Sequence, residues 1–565
     1  MAIVIRMSLD ERLASLGRRS ADALDRFVAW LERDRLPLLF MFLYVLAVGT
    51  VRDLIEYFLL DPEFVADPHP WIYSIAHHVA FYLVVFMGLV LLLTAFSGRG
   101  VRRCANYVSI FYWIIILPPV IDHFLFGLDQ NYAYFSITDF VNALFQFSGE
   151  RFHGGQALEV GVVVFALIAY TVWTGRHMLF SVRDRAITFA RIALLVVFTF
   201  LSLFIAATPA SFLPVGAEEF PYFELNRYYQ YHLFFFLYYL VAACVLAMAI
   251  TYLAAKRVFS DLARSMRPVQ TLFFVGIVGA GVVTGWRTDA SLDLVSRILE
   301  EPYWVNWSFL GVALIASVLA WQVSTIWNDL SDRSTDSLRR RDRVIAAGTV
   351  SASTLRHISL VLAFGALACS LLLSAQQTLV IVAVLVLAYL YSFKPARFKD
   401  HILSPFLIGL GTFLAFIYGC LTPYSQVGVL PSGSGEISFL TGEVLFPALT
   451  PEAFLLGFFM FLGLVIGSMV TDVDGLEEDR RAGVRTVYTS LGRERGIRVA
   501  SVLILLGALT PLILFRSPAD IVAFAALGLL AALTFLRFGR SRPVMLEALV
   551  GLLYAALRYV GMLTL

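Results

Sequence analysis

Two acidic clusters interrupt the apolar second half of this 565-residue chain. The first runs Asn328-Asp329-Leu330-Ser331-Asp332-Arg333-Ser334-Thr335-Asp336. The second runs Asp472-Val473-Asp474-Gly475-Leu476-Glu477-Glu478-Asp479, with Arg480 and Arg481 behind it. Each follows a long apolar run. Steps of three and four residues put Asp329, Asp332 and Asp336 on one face of a helix, and Asp472 and Asp479 also share a face. Facing carboxylate rows at a membrane boundary repel strongly unless a cation lies between them. Magnesium carried by a phosphorylated substrate is the natural cation for such a site.

The elements that must position these carboxylates are transmembrane helices. Hydrophobic residues make up 59% of the chain and charged residues 15%, and the mean hydropathy is +0.79, far above any ordinary soluble domain. Runs of about 20 apolar residues predict six spans, near 36–60, 71–96, 105–127, 157–174, 187–209 and 229–255. Nine more are predicted near 269–286, 303–327, 355–375, 377–393, 403–421, 453–471, 497–515, 518–537 and 544–562. Between 355 and 393 the only separators are Ser374, Gln376 and Gln377, so a tight helical hairpin is expected there. Alternate loops carry the lysine and arginine, from Arg99, Arg102 and Arg103 through Lys256 and Arg257 to Lys394, Arg397, Lys399 and Arg540. The intervening loops are poor in base. By the positive-inside rule both acidic clusters fall on the cytoplasmic face, with the N-terminus cytoplasmic and the C-terminus outside.

The expected organisation is an all-α polytopic membrane protein. Residues 1–35 read as a cytoplasmic amphipathic segment with no cleavable signal pattern, 36–260 as an N-terminal membrane domain of about six helices, and 261–565 as a bundle of about nine. Neither an internal repeat nor a soluble catalytic domain is visible. The four cysteines, Cys104, Cys244, Cys369 and Cys420, lack metal-like spacing and read as core thiols.

Several motifs, in order, resemble the UbiA-type intramembrane prenyltransferases over roughly residues 265–565. Arg267-Pro268 resembles the family's opening motif, and Asn328-Asp329-x-x-Asp332-x-x-x-Asp336 its first aspartate motif. The segment Arg343 to Ser351 is similar to the stretch that follows, with Val344 where proline is usual. Tyr391-Ser392-x-Lys394-Pro395-x-Arg397-x-Lys399 is similar to the basic loop after the fourth helix, and Glu477 to Thr486 to the second aspartate motif. That motif usually holds two aspartates four apart; here Gly475 occupies the earlier position and Asp479 the later, so either Asp472 or Asp474 supplies the missing carboxylate.

The resemblance implies a nine-helix catalytic bundle and magnesium-dependent transfer of a polyprenyl group from its diphosphate to an aromatic or lipid acceptor. Asp329, Asp332, Asp336, Asp472 and Asp479 are then the metal ligands. Asn328, Asp474, Arg343, Lys394, Arg397, Lys399 and Arg485 bind substrate, the cationic ones through diphosphate oxygens. The expected partners are a prenyl diphosphate, a hydrophobic acceptor and membrane lipids, with no nucleic acid, and the expected location is a prokaryotic plasma membrane. Two alternatives stand beside this reading. One is sugar-diphosphate transfer to a polyprenyl phosphate, which the Ile345-Ala346-Ala347-Gly348 stretch resembles; the other is a lipid transporter, for which many spans and intramembrane charges are equally expected.

The motifs of the first half point to no particular family. Its spans carry Asp53, Glu56, His77, His78, Asp122, His123, His153, Glu159 and His232, all toward the non-cytoplasmic side of the predicted topology. Polar helix ends meeting water and headgroups explain such residues most simply. Ionisable groups within spans also mark functional sites, and histidine with carboxylates is a metal-ligand palette.

Overall fold

The computed structural model describes residues 19–35, 37–60, 71–127, 138, 141–142, 144, 153–176, 182–207, 225–287, 303–332, 350–425 and 450–563. Helices dominate and no strand occurs among the described residues. Lipid offers no hydrogen bonds, so long apolar segments satisfy their own backbone as helices. Among the described residues thirteen helices are long and apolar enough to cross a membrane, as expected of an integral multi-pass membrane protein. The helices Leu38–Leu60 and Ser541–Leu563 have the length as well but carry more charge, and together these fill all fifteen predicted spans.

The chain divides into two compact units, Met1–Ser260 and Asp261–Leu565. In the first, α1 (Leu38–Leu60) packs on α2 (Trp71–Ser97), and α2 packs on α6 (Val182–Ala207) and α7 (Leu225–Ala254). The span between α2 and the next loop is broken. Helix α3 (Val101–Phe111) passes through a 3-10 turn, Tyr112–Ile116, into α4 (Leu117–Phe126), because Pro118 and Pro119 have no N–H to continue the α-helical ladder. Helix α5 (Gly154–Gly175) lies against α4. A short helix over residues 19–31 precedes α1, held by Asp25 to Arg176 and by Glu32 to the hydroxyl of Tyr170 at 2.8 Å. Residues 1–18 of the predicted amphipathic segment lie outside the described residues.

The division between the units falls within the polar helix α8 (Lys256–Ser265). The second unit then runs α9 (Pro268–Arg287), α10 (Tyr303–Ser331), α11 (Ala352–Leu371), α12 (Ala375–Ser392), α13 (Ser404–Leu421) and α14 (Pro451–Asp472). After a 3-10 turn come α15 (Leu476–Ala482), α16 (Val487–Leu491), α17 (Arg493–Leu509), α18 (Pro518–Phe538) and α19 (Ser541–Leu563). The α11–α12 hairpin is as tight as its separators suggest: Ser374 caps α12, its Oγ accepting from the Gln377 N–H at 3.1 Å. Helices α9 and α13 cross with their backbones nearly touching. A Cβ added at Gly281 would sit 2.1 Å from the Phe416 carbonyl oxygen, so only glycine fits. This close packing, with α13 also against α12 and α14, fixes the helix ends that carry the polar motifs.

Candidate functional site

The two acidic clusters and the basic loop meet in one cavity of about 790 Å³. From the end of α10 come Asn328 and Asp332; from the α12–α13 loop come Lys394, Arg397 and Lys399; from the end of α14 comes Asp472, and from the segment after it Asp479 and Arg485. Apolar side chains of Ile402, Pro405 and Ile408 line it as well.

Local structure explains how each group arrives. Helix α10 ends as its last carbonyls are taken up by nearby donors: the Asp332 N–H donates to the Asn328 carbonyl at 3.0 Å and the Ser331 hydroxyl to the same oxygen at 2.8 Å. That geometry holds Asp332 at the helix tip. The basic loop turns back through Arg397, whose φ of +41° is left-handed and costly for a residue with a side chain. A short 3-10 turn, Phe398–Asp400, then leads to α13. On the opposite wall, α14 runs through Val473–Gly475 into α15, which ends at the left-handed Gly483. The Arg485 N–H donates to the Asp400 carbonyl at 3.0 Å, tying this segment to the basic loop.

Two of the basic side chains are paired with carboxylates. The Lys399 ammonium donates to both Ser331 Oγ and Asp332 Oδ1. With only 8% of its side chain exposed, burial pulls that ammonium below its ordinary range, while Asp332 pulls the other way. Arg397 pairs with Asp400 at 2.7 Å. Asp329 is not on the cavity wall; its Oδ1 accepts from Arg267 Nη2 at 2.5 Å. Arg267 also has a left-handed backbone, with φ +48°. Its turn is braced by Gln322, whose Nε2 donates to the Met266 carbonyl at 3.1 Å and to Thr271 Oγ1 at 3.0 Å.

The structure separates the two carboxylates that flank Gly475. Asp472 lines the cavity, whereas Asp474 Oδ2 accepts a hydrogen bond from Ser541 and is not on the cavity wall. Asp336 and Arg343 lie outside the described residues. Asp400, His401, Ser468 and Thr471 line the cavity without having been singled out in the sequence. Asp400 and His401 directly follow Lys399, a visible signal in a loop read only for its bases.

Among the described residues no three or more His, Cys, Asp or Glu side chains are grouped so as to hold a metal ion by themselves. The cavity instead offers oxygen donors on two walls, Asp332 on one and Asp472 with Asp479 on the other. Magnesium is commonly held by one or two carboxylates, with waters and phosphate oxygens completing its shell. The donor set therefore fits a magnesium ion that arrives with a phosphorylated ligand.

A helical membrane bundle with an acidic and basic cavity at its helix ends defines the class, and sequence comparison gives the family. Residues 294–549, which lie within the second unit, match the UbiA prenyltransferase family. The chain is 23% identical over 227 residues to the bacteriochlorophyll synthase 34 kDa chain of Chloroflexus aurantiacus, covering 40% of this chain and 61% of that one. It is 22% identical over 232 residues to the digeranylgeranylglyceryl phosphate synthase of Methanosphaera stadtmanae, covering 40% and 74%. Less than two thirds of the first relative's length is thus spanned. Among solved structures, a UbiA homologue from Archaeoglobus fulgidus bound to DMAPP and Mg2+ aligns at 17% identity and TM-score 0.35, covering 52% of this chain and 97% of that one. The apo structure of a UbiA homologue from Aeropyrum pernix K1 aligns at 17% identity and TM-score 0.39, covering 52% and 99%.

Proposed function

We propose that the second unit transfers a polyprenyl group from a prenyl diphosphate to a hydrophobic acceptor, with magnesium, at the cavity between α10, α13 and α14. The observation that carries this reading is the convergence of Asp332, Asp472, Asp479, Lys394, Arg397, Lys399 and Arg485 on one cavity. Family membership and the names of the two relatives support prenyl transfer as the reaction class. The basic loops border the cavity, which by the positive-inside rule supports a cytoplasmic site. The bacterial and archaeal relatives favour a prokaryotic plasma membrane.

In this reading the allylic carbon–oxygen bond breaks, and the diphosphate leaves with the electron pair. The acceptor's nucleophilic atom forms the new bond to that carbon and gives up a proton. Magnesium, when bound with the diphosphate, supplies Lewis-acid stabilisation of the leaving charge. Asp332, Asp472 and Asp479 hold it, and Asp336 is assigned the same role from its motif position. Arg397, Lys399, Lys394 and Arg485 direct charge-assisted hydrogen bonds at the diphosphate oxygens. Ile402, Pro405 and Ile408 are apolar and help keep water from the electron-poor allylic carbon. Asp329 acts through Arg267 rather than at the ligand, holding the α8–α9 turn to α10.

The test is diphosphate release by the purified chain in lipid extract, from a panel of prenyl diphosphates and from phosphoribosyl diphosphate, with magnesium or a chelator. Magnesium-dependent release from a prenyl donor is expected. Release from the sugar diphosphate alone would assign the chain to polyprenyl phosphate modification, and no release from any donor would favour lipid transport.

A further inference from the structure

The short helix over residues 19–31 lies just ahead of α1, which begins at Leu38. It rests on the ends of three spans. Leu31, 3% exposed, belongs to the core of the N-terminal unit, and Val28 packs against that core. Polar contacts reach the arginines that end or open α2, α3 and α5. Asp25 pairs with Arg176 at 2.5 Å, Glu32 lies 3.7 Å from Arg99 and 3.8 Å from Arg103, and Asp34 lies 3.4 Å from Arg102. The helix is thereby fixed at the boundary where the spans leave the bilayer.

Its other sides are not covered by the N-terminal unit. Leu24, Phe27 and Trp30 recur every three residues along one flank and are 42%, 50% and 52% exposed. Phe27 stacks on Trp30 with ring centroids 6.0 Å apart, and the Arg35 guanidinium sits 4.1 Å from the Trp30 centroid. Arg19 and Arg26, seven residues apart, share a further face, and Arg33 follows just beyond the helix; all three are exposed. Because Asp25, Glu32 and Asp34 turn to arginines of the spans, no carboxylate pairs with Arg19, Arg26 or Arg33 among the described residues. Asp22 is the one other acid of the segment and is exposed too. Three arginines against one aspartate leave the outward surface positive.

The combination of flanks decides what this surface meets. An apolar flank beside arginines matches the boundary between acyl chains and headgroups, where the apolar side chains leave water and the arginine stems reach up to phosphates. Tryptophan favours the same layer. Surplus positive charge at that depth selects anionic over zwitterionic headgroups.

We infer that the helix over residues 19–31 is a binding site for anionic phospholipid at the membrane surface, with Leu24, Phe27 and Trp30 set among the acyl chains and Arg19, Arg26 and Arg33 on the headgroup phosphates. The site lies within the N-terminal unit and does not depend on the prenyltransferase reading.

The test uses the full chain in nanodiscs of phosphatidylcholine containing phosphatidylglycerol. A nitroxide is placed on Phe27→Cys or on Ala29→Cys, an exposed position on the opposite side of the helix; the labelled unsubstituted chain gives the background from its own cysteines. The label at 27 is expected to be relaxed by oxygen and shielded from a water-soluble nickel complex, and the label at 29 to show the reverse. Equal access of nickel to both labels would overturn the inference, because the flank then faces water. So would a label at 27 shielded from oxygen and nickel alike, which marks cover by protein, such as a second copy. Headgroup choice is read locally, by photo-crosslinking lipid to Phe27→p-benzoylphenylalanine and identifying it by mass spectrometry. Phosphatidylglycerol is expected to be enriched about fivefold or more over its share of the bilayer, and the enrichment to fall when Arg19→Gln, Arg26→Gln and Arg33→Gln are combined. Cross-linked lipid at the bilayer ratio, or enrichment unchanged in the triple variant, would also overturn it.

Discussion

Replacing Gly475 with aspartate rebuilds the pair of carboxylates four residues apart that the second acidic segment lacks. A Cβ added at Gly475 lies 3.7 and 4.0 Å from the two carboxylate oxygens of Asp479 and meets nothing nearer. These are ordinary contact distances, and the φ of −102° at this position suits any residue. The steric cost is therefore small. The new carboxylate projects beside Asp479, which is on the cavity wall. Two unit charges about 4 Å apart interact by roughly 1 kcal/mol at the dielectric of water and about 4 kcal/mol at an effective dielectric of 20. A divalent ion doubles the attraction, so even the water-like limit strengthens metal binding by about 2 kcal/mol, and each 1.4 kcal/mol is about tenfold. The magnesium concentration giving half-maximal diphosphate release is expected to fall about tenfold or more. Gly475→Asn matches the shape without the charge and is expected to leave it unchanged. If Gly475→Asp and Gly475→Asn give the same magnesium requirement, the ion does not sit beside Asp479 and the reasoning fails.

Three further outcomes follow from the same geometry. Asp472→Asn is expected to lower the rate of magnesium-dependent diphosphate release at least about a hundredfold, because metal charge stabilisation amounts to several kcal/mol; Asp474→Asn, whose carboxylate faces Ser541, should leave the magnesium requirement alone. Lys399→Met removes a charge-assisted donor, a contact of about 1.5–3 kcal/mol, so KM for the prenyl diphosphate should rise roughly tenfold to a hundredfold in steady-state assays. Gly281→Ala should lower the thermal midpoint in detergent through a clash costing about 1–3 kcal/mol, whereas Gly276→Ala, with nothing within 4 Å of its added Cβ, should not.

The helical architecture was legible because lipid makes the pattern simple: an apolar run of sufficient length has no alternative to a helix. Even the weakest separation, at Ser374, carried its own signal, since serine followed three residues later by glutamine is a capping pattern. The convergence of Asp332, Lys399 and Asp472 was suggested by ordered motifs, but periodicity alone could not bring three distant segments together. Helix spacing put Asp329 and Asp332 on one face, yet the two turn to different partners, because α10 ends between them and Arg267 approaches from its own left-handed turn. The choice between Asp472 and Asp474 was equally hidden, since it depends on where α19 brings Ser541. In the first half, Asp53, His78 and His232 read as scattered helix ends. Their convergence arises from the packing of α1, α2 and α7, which no local pattern encodes.

The central claim is that both acidic walls and the basic loop serve one metal–diphosphate site. Its most direct test is binding of Mn2+, standing in for magnesium and followed by electron paramagnetic resonance, to the full chain with and without a non-hydrolysable prenyl diphosphate analogue. The account expects tight binding only with the analogue, lost in Asp332→Asn and in Asp472→Asn alike. Equal binding without the analogue, or binding that survives loss of either wall's aspartate, would contradict it.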